Sequence, residues 1–121
     1  MSILGSYRLR ARRQRLLARA FLRRRELKPV TNRMADLRTE PILLFSCLRN
    51  EKVRLPYFLQ YYRDLGVDHF LIVDNDSDDG SRDYLARQPD VSLWTTKGSY
   101  KRARFGMDWL THLQRRYNHN N

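Results

Sequence analysis

The chain has 121 residues and one cysteine, which excludes an internal disulfide and leaves room for at most one domain with a modest core. Its net charge of +11 is uneven: residues 1–40 carry 12 Arg or Lys against 3 acids, whereas residues 41–121 carry 12 against 10. The basic character therefore belongs to the leader. With no apolar run of membrane length and no secretory core at the start, the expected setting is reducing and cytoplasmic.

Residues 7–28, YRLRARRQRLLARAFLRRRELK, predict a basic helix with a partial apolar stripe of Leu9, Leu16, Leu17, Ala20 and Phe21. Three readings of it compete. It could lie peripherally on an anionic membrane, at the inner face, where apolar burial and attraction to acidic headgroups act together. It could neutralise nucleic-acid phosphates, but it carries no DNA-binding motif and only scattered aromatics, so nucleic acid is the least favoured partner. The plainest reading is a solvated helix resting its stripe on another part of the protein or on a second subunit. Residues 29–41, bracketed by Pro29 and Pro41, read as a linker with little regular structure, so 1–40 is taken as leader and linker and 41–121 as the domain.

The stretch Pro41–Gly80 reads as strand, turn, helix, strand and acidic loop, a βαβ unit. Ile42–Phe45 is an apolar run suited to a strand buried on both faces, and it stops at Ser46-Cys47-Leu48-Arg49-Asn50-Glu51. Leu55, Phe58, Leu59, Tyr62 and Leu65 recur at helical spacing after a first-turn Pro56, and Gly66 supplies a left-handed cap. A second apolar run, Phe70–Val73, stops at Asp74-Asn75-Asp76-Ser77-Asp78-Asp79-Gly80. A right-handed crossover makes the two strands parallel, so both polar clusters fall at the carboxyl rim, where ligands of open α/β sheets sit. Cys47, at a strand end, reads as a small buried apolar side chain rather than a nucleophile.

The acidic loop fails as an EF-hand: counted from Asp74, Leu85 falls at position 12, and counted from Asn75, Ala86 does. Ser77, Asp78 and Asp79 are expected to cap the following helix, whose positive N-terminus favours them. That helix is expected over 81–87, with Tyr84 and Leu85 inward, ending before Pro89. Val91–Trp94 is a third short strand, and a last helix is expected from about Tyr100 to Tyr117, with Ala103, Gly106, Met107, Leu110, Leu113 and Tyr117 on one face. Lys97, Lys101, Arg102 and Arg104 gather near its start, where cations and helix dipole would both favour a diphosphate; Lys101 and Arg102 are the chosen pair. His112 and His119 have no spacing for zinc.

Leu48-Arg49-Asn50-Glu51, then Leu71-Ile72-Val73-Asp74-Asn75-Asp76-Ser77-Asp78-Asp79-Gly80-Ser81, then Ser99-Tyr100-Lys101 through Trp109-Leu110, together resemble bacterial family 2 glycosyltransferases of the GT-A fold. Their order and spacing on a βαβαβ frame, more than any single phrase, carry the likeness, which covers roughly residues 41–117. The resemblance implies a Rossmann-like α/β fold, an incomplete GT-A βαβαβα parallel sheet preceded by the basic helix. At 121 residues, against the roughly 200 that a whole enzyme of this kind occupies, the chain is expected to be its N-terminal, nucleotide-binding portion.

The activity implied is transfer of a sugar from a nucleotide-sugar donor, a UDP-sugar being the expected one, to a glycan acceptor hydroxyl with inversion. Arg49, Asn50 and Glu51 would line the nucleotide pocket, Asp74, Asn75 and Asp76 would hold base and ribose, and Lys101 and Arg102 would meet the diphosphate. The divalent ion of the full enzyme, Mg²⁺ or Mn²⁺, takes its ligands from a later strand in the family, so Asp74-Asn75-Asp76 is not that signature and no catalytic residue is expected here. The alternative is a non-catalytic module binding an anionic membrane or a nucleotide. A Rossmann-like protein of other chemistry is the further rival, although no G-x-G-x-x-G follows the first strand and no P-loop occurs.

Overall fold

The strand His69–Asp74 is buried along its whole length, and the rest of the chain is layered around it. The computed structural model describes residues 3–35, 37, 39–103 and 106–117. In chain order these form α1 (Ile3–Arg23), a 3₁₀ turn (Arg24–Glu26), β1 (Lys28–Thr31), β2 (Leu43–Leu48), α2 (Leu55–Asp64), β3 (His69–Asp74), α3 (Ser81–Ala86), β4 (Val91–Thr95) and α4 (Met107–Tyr117). The four strands make one sheet in the order β1-β4-β3-β2. β2, β3 and β4 are parallel, with Leu44 beside Phe70 and Phe70 beside Val91, while β1 is antiparallel to β4. The fold is therefore mixed α/β with a mostly parallel sheet, of the Rossmann-like kind.

Strand alternation divides the core in two. Phe70, Ile72, Val91 and Leu93 face α2 and α3, where Leu55, Leu59 and Leu85 are buried against them. Leu71, Val73 and Trp94 face the opposite side, covered by Ala103, Trp109 and Leu113. Each such side chain contributes roughly 2 kcal/mol through burial. α2 ends in a Schellman closure, with Gly66 at φ +102°, its N–H donating to the Arg63 carbonyl and the Val67 N–H to that of Tyr62.

Several expectations are corrected. The N-terminal helix stops at Arg23, and Lys28–Thr31 is a strand rather than linker: Pro29 is tolerated because β1 is an edge strand. Leu65 is exposed, since four residues on from the outward Tyr61 it continues that stripe and not the inner one. The last helix begins at Met107, because Gly106 at φ +84° interrupts the turn of residues 100–103 before it. Met107 consequently lies outside and Trp109 inside. α1 packs along α4, with Ala20 buried and Arg19 and Arg23 3.8 and 4.0 Å from the buried carboxylate of Asp108.

Candidate functional site

Both polar loops do meet at the carboxyl end of the parallel strands, and they are laced together. The Asn75 N–H donates to the Leu48 carbonyl at 2.8 Å, continuing the ladder one residue past the strands. Beyond it, the N–H groups of Asn50, Glu51 and Lys52 donate to Ser77 Oγ (2.8 Å), Ser81 Oγ (3.2 Å) and Asp79 Oδ2 (3.1 Å). In return the Asp78 N–H donates to Asn50 Oδ1 at 2.9 Å. Asn50 and Asp76 hold positive φ, +53° and +56°, a region that Asn and Asp tolerate better than bulkier residues. The expected capping is corrected: Gly80 is the N-cap of α3 and receives no side-chain cap bond, and of Ser77, Asp78 and Asp79 only Asp79 reaches the helix, accepting the Ser81 N–H at 2.9 Å, while Ser77 and Asp79 fix the backbone of the neighbouring loop. Hydrogen bonds from Ser81 hold the exposed Asp79 carboxyl below its usual range, with the Lys52 N–H assisting.

Beside this clasp lies a cavity of about 370 Å³, lined by Cys47, Leu48, Arg49, Glu51, Asn75 and Tyr100, within the size range of small-molecule sites. The side chains of Arg49 and Asn75 make no hydrogen bond or ion pair with another described residue, whereas Glu51 stands 3.7 Å from Arg54. An arginine, a glutamate, an asparagine and a tyrosine therefore border one space, residue types able to pair with phosphate, with hydroxyl or N–H donors, and with a flat ring. Gly106 packs against two of the lining residues: a Cβ there would come within 3.1 Å of the Cβ and Sγ of Cys47 and 3.2 Å of Tyr100 Cε2. Burial, with the nearby charge of Asp74, pushes the Cys47 thiol up to about 11, so it remains protonated at neutral pH and is no nucleophile.

Of the eight expected site residues, Arg49, Glu51 and Asn75 line the cavity. Asn50 sits in the clasp. Asp74 is buried, with Oδ2 accepting the Ser77 N–H at 3.1 Å and lying 3.6 Å from Arg82 Nε; Asp76 lies 3.9 Å from Arg82 Nη2. Both carboxylates thus address a cation of the chain itself, and neither lines the cavity. Lys101 and Arg102 are exposed in the turn after Tyr100, outside the cavity wall and several residues ahead of α4, whose first turn holds Asp108. Arg104 lies outside the described residues. Tyr100 was the residue missed; only its place in the phrase Ser99-Tyr100-Lys101 pointed toward it.

Among the described residues no group of three or more His, Cys, Asp or Glu side chains is placed to hold a metal ion, and the Arg82 partnership of Asp74 and Asp76 does not fit one. No described helix is long and apolar enough to cross a membrane. Compared with known proteins, the chain matches no family model, no curated protein and no solved structure.

Proposed function

We propose that this chain is the donor-binding portion of a GT-A, family 2-like glycosyltransferase, taking a nucleotide sugar, with a UDP-sugar as the expected donor, for inverting transfer to an acceptor hydroxyl. The observation that carries this reading is the convergence of Arg49, Glu51, Asn75 and Tyr100 on one cavity at the carboxyl ends of parallel strands. In this reading Arg49 pairs with the diphosphate, Asn75 and Glu51 meet the polar edges of base and ribose, and Tyr100 gives the base a face to stack on. Asn50, Ser77, Asp79 and Ser81 act as positioning residues by fixing the loop backbones, and Asp74 steadies the second loop through Ser77. The divalent ion would supply charge neutralisation at the leaving diphosphate when bound; among the described residues the acids do not fit it, and no step is routed through them. No catalytic residue is assigned.

Titration of the full chain with UDP, followed by amide and side-chain NMR, tests the reading. Weak binding is expected, with shifts concentrated at Arg49, Asn75 and Tyr100. An unperturbed rim would overturn the site, and tight, metal-dependent binding would overturn its being only part of one.

The basic helix supports a second reading. Phe21 and Leu22 are exposed side by side among the arginines at the C-terminal end of α1, a small apolar and cationic patch that an anionic membrane would accept. Sedimentation with phosphatidylserine vesicles should then fall sharply for Phe21→Ser/Leu22→Ser; equal sedimentation would refute it.

A further inference from the structure

The two edges of the sheet are treated differently. β1 is short, contains Lys28 and Pro29, and its pairing with β4 slips register between Pro29 and Thr31, all devices that discourage a further strand. β2, Leu-Leu-Phe-Ser-Cys-Leu, pairs only with β3 among the described residues and has no charge, proline or bulge along its six residues. Among the described residues no strand pairs with its outer N–H and C=O groups, which form an open template.

Over that edge stands an apolar ridge. Val53, Tyr57, Tyr61 and Leu65 follow one another at intervals of four, so they form a single row on the α2 side, and each is between 61% and 85% exposed. Tyr57 and Tyr61 wall a cleft of about 610 Å³ whose floor includes Ser46 and Leu48 of β2, which places the ridge directly beside the edge. With Ile42, also exposed, these side chains present on the order of 500 Å² of apolar surface, near the upper end for a lone monomer. Adding the strand edge brings the face close to the roughly 800 Å² per partner of a stable pair.

We propose that this face is a homodimer interface, in which β2 pairs antiparallel with β2 of a second copy about a twofold axis perpendicular to the sheet. Such an axis keeps each face of the sheet continuous, so residues of equal parity must oppose one another. Centred on Phe45, the register sets Ile42 against Leu48, Leu43 against Cys47 and Leu44 against Ser46, with every position uncharged. The same axis brings the two α2 helices side by side and antiparallel, ridge against ridge. Arg54, 3.7 Å from Glu51, and Asp64, which accepts from Gln60 Nε2 at 2.8 Å, are exposed at opposite ends of the row and each would face the other's counterpart, so the surface is complementary to itself in charge. The result is a continuous sheet of eight strands with the guarded β1 edges outermost. The inference concerns these 121 residues and is read by a different experiment from the nucleotide proposal, under which a strand from the rest of the enzyme is the competing occupant of the same edge.

Sedimentation velocity on the full chain from low micromolar to hundred-micromolar concentration provides the test. A concentration-dependent dimer is expected, with amide-exchange protection of residues 42–48 that fades on dilution. Tyr57→Glu/Tyr61→Glu, at exposed positions that leave the fold intact by circular dichroism, should weaken the dimer at least tenfold. Arg54→Glu should weaken it too, and Arg54→Glu/Asp64→Arg should restore it, a recovery that simple misfolding would not give. A chain that stays monomeric over the whole range, a dimer untouched by the tyrosine substitutions, or a failed charge-swap recovery would each overturn the proposal.

Discussion

The two ends of the parallel strands are both polar, yet they use polarity in opposite ways. At the amino end charged groups satisfy one another: Arg63 donates to both oxygens of Asp90 at 2.7 Å and also to Gln88, tying α2 to the loop before β4. There too the Arg33 guanidinium donates to the carbonyls of Gln88 and Val91, and the buried His69 is 2.8 Å from Ser92 Oγ, which accepts the Arg33 N–H. At the carboxyl end the short side chains Asn50, Ser77, Asp79 and Ser81 are spent on backbone, and Arg49 and Asn75 stand beside a cavity with no side-chain partner among the described residues. A cavity of about 420 Å³ exists at the amino end as well, but its walls are already engaged. Polar groups without a described partner on a fixed frame, and not polarity as such, are what single out the carboxyl end as the candidate rim.

Four substitutions or titrations break or sharpen this contrast. The largest effect on stability is expected from Arg63→Ala, which strands the partly buried Asp90; about 2 kcal/mol should be lost in urea denaturation, with nucleotide binding unchanged. Asp90 reports the same pairing: burial opposes its ionisation, but the hydrogen bonds and charge of Arg63 hold its carboxyl below the usual range. Ser81→Ala should cost less, about 1–2 kcal/mol, by leaving the Glu51 N–H without its acceptor, but it should also loosen ligand binding, which Arg63→Ala does not. Arg49→Ala inverts that pattern, with stability within about 0.5 kcal/mol of the parent and UDP affinity down roughly tenfold by calorimetry.

The smallest effect is a pH slope. Burial holds the His69 imidazole below its usual range, the positive charge of Arg33 adding to this and Asp90 opposing it. Because its folded pKa is depressed, the unfolded chain takes up the proton first. Stability should therefore be fully retained above about pH 6.5 and decline as pH falls from there toward the folded pKa, and His69→Gln should flatten that decline in thermal melts.

The frame was legible because its signals are local. Apolar runs that stop at polar clusters, Pro56 in the first turn of α2 and Gly66 at its end mark the β2-α2-β3 unit without reference to anything distant. β1 was not legible, because Lys28-Pro29-Val30-Thr31 becomes a strand only through β4, far along the chain. The start of α4 was misplaced because helical spacing runs across Gly106, and only its backbone angle reveals the break. At the site, Arg49, Glu51 and Asn75 followed from standing just past strand ends. Asp74 reads identically in sequence, but its burial beside Arg82 is a tertiary property. Tyr100 reaches the cavity through a turn whose path depends on the close approach of Gly106 to Cys47.

The docking of α1 has a consequence for synthesis. The contact of Arg19 with the Arg102 carbonyl spans 83 residues, and β1 waits for β4 in the same way. As the chain emerges from the ribosome, its arginine-rich helix precedes by most of the chain the surfaces that will receive it. Until α4 is made, the face of α1 that carries Arg19, Ala20 and Arg23 waits for Asp108 and its neighbours, so docking of α1 onto α4 becomes a late step in maturation.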